Sequence, residues 1–171
     1  MYTVLITTSG TGLRLFNHTK YTNKSLVKLG DKLAICYIIE QYNLDTEYII
    51  TIGHYGNFVK DFLLLAYPNR SFIFIEVDKF EGPGSSLGYS MLKAKEYLQK
   101  PFIFHCCDTI LQEKLSIGNT NTLIVSKNND YNSYSTIIVS GNNVICLNKK
   151  GEPKNDYIYI GISYFRRNQK S

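Results

Sequence analysis

The loop Thr8-Ser9-Gly10-Thr11-Gly12, together with Arg14 and Lys24 downstream, is the part of this chain best suited to chemistry on phosphate. A glycine-rich turn exposes backbone N–H groups that form an anion-binding concavity. Arginine adds a planar, permanently charged fork, and lysine a compact point charge. On spacing alone the same stretch also reads as an ordinary strand-to-helix connection with solvated basic residues. GTGLRL lacks the third glycine of the dinucleotide fingerprint and the GK[ST] of the P-loop.

Asp108 follows the apolar run PFIFHCC, where a hard carboxylate oxygen could hold Mg²⁺ bridging to a nucleotide phosphate. A carboxylate there could equally cap the next turn. Gly82, Pro83, Gly84, Ser85 and Ser86 form a small-residue turn with room for a flat base or a sugar ring against backbone. One of its serines also suits a helix N-cap, and the two readings are compatible. His105, Cys106 and Cys107 are rejected as a zinc site, because successive strand residues point to opposite faces and no second ligand pair lies at a suitable spacing. His18 and His54 read as loop residues, and no serine sits in a nucleophile elbow.

The elements that must position these groups alternate. Val4 to Ile6 reads as a buried strand that runs into the Thr7 to Gly12 loop. Ile35, Ile38, Ile39 and Tyr42 fall on one face of a helix over residues 32–43. Tyr48 to Ile52 is a strand, and Phe58, Phe62 and Leu65 mark a second helix ended by Pro68. Ser71 to Val77 is again a strand. Leu87, Met91, Ala94 and Leu98 share the face of a third helix, and residues 101–106 return as a strand. After residue 120 come strand-like runs at Thr122 to Ser126, Ser135 to Val139, Asn143 to Leu147 and Tyr157 to Phe165, with a hairpin turn at Gly141 to Asn143.

Strand and helix units of this length predict an α/β three-layer sandwich. Its sheet is mainly parallel and Rossmann-like, with an antiparallel excursion in the C-terminal part. Ligands in such sheets bind beyond the carboxyl ends of the strands. That rule gathers the Thr8 to Arg14 loop, the turn at 82–86 and Asp108 at one edge.

Composition limits the partners. The chain has 171 residues, 44% of them hydrophobic, which is one domain's worth with a continuous core. Its net charge of +5 comes from scattered lysines, which suits phosphorylated small molecules better than a nucleic-acid surface. No window is long and apolar enough to cross a bilayer, and the N-terminus does not resemble a signal peptide. Cys36, Cys106, Cys107 and Cys146 lack framework spacing and read as reduced core residues, so the expected compartment is cytoplasmic.

The order of these segments resembles the sugar-phosphate nucleotidylyltransferases, whose opening signature is GxGTRL, then PKxL, then a GKP segment and a helix. Gly10, Gly12, Arg14 and Leu15 match the first motif, Lys24 and Leu26 the second, and Lys32 with Ile35 the third. GPGSSL at 82–87 is similar to the family's GTAGAL turn. Asp108 stands where the family has its first metal-binding aspartate, and YIYIGISYF at 157–165 looks like its late GIYxF strand. Thr8 and Ser9 replace Ala-Gly or Gly-Gly, Leu13 replaces threonine, and Asn23 replaces the proline before the lysine. No glutamine lies between Ile73 and Ser85 to read a base.

The resemblance implies an enzyme that transfers a nucleotidyl group from a nucleoside triphosphate to a sugar phosphate or small phospho-alcohol, releasing pyrophosphate, in the synthesis of surface-glycan precursors. In it Arg14 holds the pyrophosphate and Lys24 steadies the α-phosphate or the acceptor phosphate. Thr8 to Gly12 and Gly82 to Ser85 bind nucleotide, and Asp108 holds Mg²⁺. Residues 1–171 then form one domain, with a nucleotide-binding part at 1–120 and a mostly β acceptor-side part at 121–171 that is C-terminally short for the family. Expected partners are the two substrates, with no nucleic acid and no membrane; homo-oligomer formation is left open. The alternative is a catalytically impaired nucleotide- or sugar-phosphate-binding regulatory module of the same fold. A glycosyltransferase ranks last, because Asp108 is followed by Thr109 and Ile110 and not by a second aspartate of a DxD motif.

Overall fold

The computed structural model describes residues 2–127, 132–152 and 157–166. In chain order its elements are β1 (Thr3–Thr7), β2 (Lys28–Leu29), β3 (Lys32–Leu33), α1 (Ala34–Glu40), β4 (Glu47–Ile52), α2 (Gly56–Ala66), β5 (Ser71–Glu76), α3 (Leu87–Lys93), β6 (Phe102–Cys106), β7 (Thr122–Ser126), β8 (Thr136–Ser140), β9 (Asn143–Asn148) and β10 (Tyr157–Phe165). Short 3₁₀ segments cover Leu13–Thr19, broken by a kink at Phe16, Lys24–Leu26 and Lys95–Leu98. The polar turns SKNNDYN and NKKGEPKND fall partly outside the described residues.

β1 is an interior strand of an eight-stranded mixed sheet ordered β5-β4-β1-β6-β10-β8-β9, with β7 paired to β10. Its residues alternate between two cores. Val4 and Ile6 pack with Ile35, Ile38, Ile39, Val59 and Leu63 of α1 and α2, while Leu5 packs with Ala94 and Met91 on the α3 side. A strand covered on both faces must be apolar throughout, so this segment reads as a run and not as an alternation. The outcome is the expected three-layer sandwich.

β1, β4, β5 and β6 are parallel, and everything after residue 120 joins antiparallel. β10 pairs with β6 over Ile162–Phe165 and with β8 over Tyr157–Ile158, changing partner at a bulge between Tyr159 and Ile162. β8 and β9 form the hairpin read from SGNN, with Gly141 at φ 58.

Three boundaries differ from the periodicity reading. Gly30 at φ 64 makes a tight turn that pairs Lys28–Leu29 with Lys32–Leu33, so Lys32 lies in a hairpin and α1 starts only at Ala34. In α2 the buried face is Val59 and Leu63, while Phe58 and Leu65 are exposed. α3 ends at Ala94, where the backbone leaves the helical region, and Leu98 reaches the same core from a 3₁₀ turn. Leu87 is off that core. Only Cys36 and Cys107 among the cysteines are buried, since Cys106 and Cys146 are part-exposed, and all four are free thiols. Among the described residues no helix is long and apolar enough to cross a membrane.

Candidate active site

From β1 the chain steps outward to β4 and β5, then crosses back to place β6 on the other side of β1. The reversal puts a topological switch point between the carboxyl ends of β1 and β6, where sheets of this kind leave a crevice. A cavity of about 640 Å³ opens there on the α3 face. The β1 loop contributes Ser9 and Gly10, the segments after it Arg14 and Lys24, and the β6 end Cys106, Asp108 and Thr109. Ser85, Ser86, Ser90, Tyr134, Lys150 and Tyr159 also line it.

The β1 loop is tied down residue by residue. Thr8 donates both its N–H and its Oγ1–H to Thr51 O, at 3.0 and 2.8 Å, and is fully buried. Ser9 O accepts from His54 N–H at 2.9 Å, and Ser9 Oγ meets Ser90 Oγ at 2.9 Å. Nothing stands within 4 Å of where a Cβ on Gly10 would be, so its backbone borders open space.

Asn23 joins this loop to the next. Its Nδ2 donates to Thr8 O at 2.7 Å and to His54 O at 2.6 Å, and its Oδ1 accepts from Ser25 N–H and Ser25 Oγ–H at 2.9 and 2.8 Å. The side chain is fully buried with its hydrogen-bonding capacity used. Its backbone φ of −76 also suits proline, which explains how asparagine can occupy the motif's proline position. Lys24 follows directly. Gly12, at φ 67, lets Lys24 pass so closely that a Cβ on Gly12 would lie 2.9 Å from Lys24 Cβ.

Lys24 Nζ donates to Asp108 Oδ2 at 2.9 Å, with the lysine side chain 20% exposed and the aspartate 51%. Burial acts most strongly on both groups and opposes both charges. For Asp108 the attraction of Lys24, their hydrogen bond, a hydrogen bond with the Cys106 thiol and the charge of Arg14 outweigh it and hold the carboxyl below its usual range. For Lys24 the Cys107 sulfur and Asp108 outweigh it, and the ammonium pKa is raised. Cys106 is the thiol in the cavity wall. Burial pushes it up to about 11, so it is protonated at neutral pH and no nucleophile.

The turn carrying Asp108 is bracketed from two sides. Thr109 Oγ1 donates to Ile160 O, and Cys106 Sγ contacts both groups. Ile160 sits at the β10 bulge beside Gly161, whose φ is 84 and where a Cβ would run into Cys106 Sγ. Only glycine fits that position.

Of the residues expected to bind nucleotide, Ser9, Gly10 and Ser85 line the cavity together with Arg14, Lys24 and Asp108. Thr8 does not: its N–H and hydroxyl go to Thr51 O and its carbonyl accepts from Asn23, so it supports the loop from beneath. Gly82, Pro83 and Gly84 are exposed outside the cavity wall, and Thr11 and Gly12 belong to the loop without lining the cavity. Gly82 at φ 72 and Gly84 at φ 88 fold the turn so that Ser85 faces inward, while Ser86 caps α3 by accepting from Tyr89 N–H at 3.0 Å. Asp108 sits in the turn that follows β6, and its Oδ2 accepts from Lys24 Nζ at 2.9 Å.

Sequence reading missed Asn23, Lys79, Lys150 and Tyr159. Asn23 carried a signal in its departure from the motif proline. Lys150 lay in a polar turn whose return to the cavity depends on the β8–β9 hairpin.

As to metal, among the described residues Asp108 is the one carboxylate lining the cavity, and no cluster of three His, Cys, Asp or Glu able to bind an ion occurs. That donor set fits an ion such as Mg²⁺, which takes one or two protein carboxylates and completes its shell with substrate phosphates and water. It does not fit a metal held by protein alone.

No family model and no curated protein matches the chain. Solved structures do. A Bacillus anthracis protein described as a glucose-1-phosphate thymidylyltransferase, crystallised with sucrose, superposes with a TM-score of 0.81 at 20% identity, over 97% of this chain and 72% of that one. UDP-glucose pyrophosphorylase complexed with UDP-glucose gives 0.81 at 16% identity, over 97% and 76%. The CTP:phosphocholine cytidylyltransferase of Streptococcus pneumoniae gives 0.73 at 21%, over 97% and 71%. The chain has the α/β fold of these nucleotidylyltransferases and pyrophosphorylases.

Proposed function

We propose that this chain transfers a nucleotidyl group from a nucleoside triphosphate to the phosphate of a phosphorylated small molecule, a sugar phosphate or a phospho-alcohol. An acceptor phosphate oxygen attacks the α-phosphorus, the bond from that phosphorus to the bridging α–β oxygen breaks, and pyrophosphate leaves. The observation that carries this reading is the cavity at the β1/β6 switch point. Its charged lining among the described residues is Arg14, Lys24, Lys79 and Lys150 against Asp108 alone, an excess of cations suited to a polyanion.

Positioning and charge neutralisation are the whole requirement of such a reaction. Arg14 binds the departing pyrophosphate. Lys24, held near the cavity wall by Asn23, reaches the α-phosphate and the attacking phosphate. The amides of the Gly10 loop bind the triphosphate chain, and Ser85, Ser86 and Ser90 border the base and ribose. Lys150, in the cavity lining, faces the acceptor. Asp108 would hold Mg²⁺, which supplies charge neutralisation to the phosphate oxygens when bound. The protonated Cys106 and the absence of an activated serine agree with direct transfer.

The superposed proteins support the substrate class, since their names include UDP-glucose, glucose-1-phosphate and CTP with phosphocholine. Soluble substrates and free thiols suit the cytoplasm. A pyrophosphate-release screen of the four ribonucleotides and dTTP against sugar 1-phosphates and phosphocholine tests the reading. Release that needs both a nucleotide and an acceptor supports it, and no release from any pair refutes it.

A further inference from the structure

His105 is fully enclosed one turn away from the cavity, at 1% exposure, and the reaction as described does not use it. Both ring nitrogens are engaged. Nε2 stands 2.9 Å from Thr109 O, and Nδ1 stands 2.7 Å from Tyr42 Oη. A carbonyl only accepts, so Nε2 carries the proton. Burial holds the imidazole pKa down, at about 4, so the ring is neutral and Nδ1 is bare. Tyr42 therefore donates to it, and the tautomer is fixed from the α1 end of the core.

This arrangement reaches Asp108 through one peptide unit. Thr109 O is held by His105 from one side, and Thr109 Oγ1 donates to Ile160 O on the other. With Thr109 N–H also turned toward Cys106 O at 3.4 Å, the residue after Asp108 is tied at three atoms. Asp108 itself is held by the bond of its carboxylate to Lys24, with the Cys106 thiol as a second hydrogen-bonding neighbour. Its carboxylate is thus placed by its neighbour, and its neighbour by the ring.

We infer that His105, oriented by Tyr42, is a positioning residue that fixes the Asp108 carboxylate where a metal-bound nucleotide needs it. The inference rests on the reading of Asp108 as the metal-holding group. It concerns a histidine that touches neither substrate nor metal. Partners that orient metal-holding groups typically influence metal affinity by about 10- to 100-fold.

The test is a thermal-shift titration of Mg²⁺ on the whole chain. It is run at a fixed concentration of whichever of ATP, CTP, GTP, UTP or dTTP stabilises the wild type most, with a parallel series in EDTA. His105→Leu keeps an apolar side chain in the core and removes both hydrogen bonds. It should raise the Mg²⁺ midpoint by about 10- to 100-fold while leaving the nucleotide shift in EDTA unchanged. His105→Gln places an amide N–H near the Nε2 position and should restore most of the loss. Tyr42→Phe, a gentle change should the leucine variant fail to fold, should move the midpoint the same way by less. If the variants lower the melting temperature of the free protein but keep the wild-type Mg²⁺ midpoint, His105 only fills the core and the inference is overturned. If the wild type itself shows no Mg²⁺ dependence, the metal reading of Asp108 falls, visibly and separately, and takes the inference with it.

Discussion

Lys24 Nζ lies 2.9 Å from Asp108 Oδ2, although 84 positions of sequence separate the two. One comes from the loop system after β1 and the other from the end of β6, so their meeting is a product of the strand order β4-β1-β6. In the free protein the lysine occupies an oxygen that a nucleotide-bound ion would need. Binding of a metal–nucleotide complex therefore has to exchange one cation for another at Asp108.

That exchange gives Asp108→Asn a crossover. With Mg²⁺ present the variant should bind nucleotide more weakly than wild type and lose about 10²- to 10³-fold in kcat, as expected when one electrostatic stabiliser of the transition state is removed. In EDTA it should bind nucleotide more tightly, because Lys24 and Arg14 no longer share their charge with a carboxylate. Isothermal titration under both conditions checks this, and weakening in both refutes the exchange.

The loop geometry depends on Asn23. Asn23→Ala removes both donors that satisfy Thr8 O and His54 O and both acceptor contacts to Ser25. At about 1–3 kcal/mol for a buried polar group left unpaired, the variant should lose on the order of 3 kcal/mol in chemical denaturation. Asn23→Pro keeps the backbone angle and loses the same bonds, so it should be similarly destabilised. A loss well under 1 kcal/mol in both would show that the clamp contributes little.

Gly161→Ala should be destabilised by more than the backbone alone costs, about 1–3 kcal/mol for a side chain held at positive φ. The excess comes from the contact with Cys106 Sγ. Adding Cys106→Ala to Gly161→Ala should recover that excess and leave the backbone part. Urea unfolding of the wild type and the two variants measures both.

The pH response follows from the ion pair. The depressed Asp108 carboxyl stabilises the fold above its unfolded pKa, about 3.9, and its contribution disappears as pH falls through the folded value. The raised Lys24 pKa acts in the opposite sense. Its contribution is complete below about 10.4 and is lost as pH rises through the folded value. The melting-temperature difference between wild type and Asp108→Asn should then be level from about pH 5 to 9 and shrink at both ends. A difference that changes steeply across neutrality would contradict the pairing.

Much of this was legible in the residues because the physics was local. Runs such as TVLIT, EYIITI and FIFHC had to be buried strands, and glycines and small polar residues had to be the breaks between them. Arg14, Lys24 and Asp108 were legible as a group only through the rule that ligands sit at the carboxyl ends of parallel strands. Thr8 turns away from the cavity because its hydroxyl has a partner on β4, 43 residues away, which no local pattern reveals. Lys32 was placed in a helix because its periodicity matches one, while the left-handed Gly30 decided for a hairpin. The roles of Asn23 and His105 depend on partners no local pattern shows: Thr8 O and His54 O for Asn23, Thr109 O and the Tyr42 hydroxyl, 63 residues away, for His105.

The central claim is that the α–β phosphate linkage of the nucleotide is the one broken. It is tested most directly by following label from α-³²P and γ-³²P nucleotide in parallel reactions with the best acceptor from the screen. The account predicts the α label in the acceptor product and the γ label in pyrophosphate, with Arg14→Ala and Lys24→Met suppressing both. Transfer of the γ label to the acceptor, or its appearance as free phosphate with no α-labelled product, would mean that this site cleaves the β–γ linkage, and would contradict it.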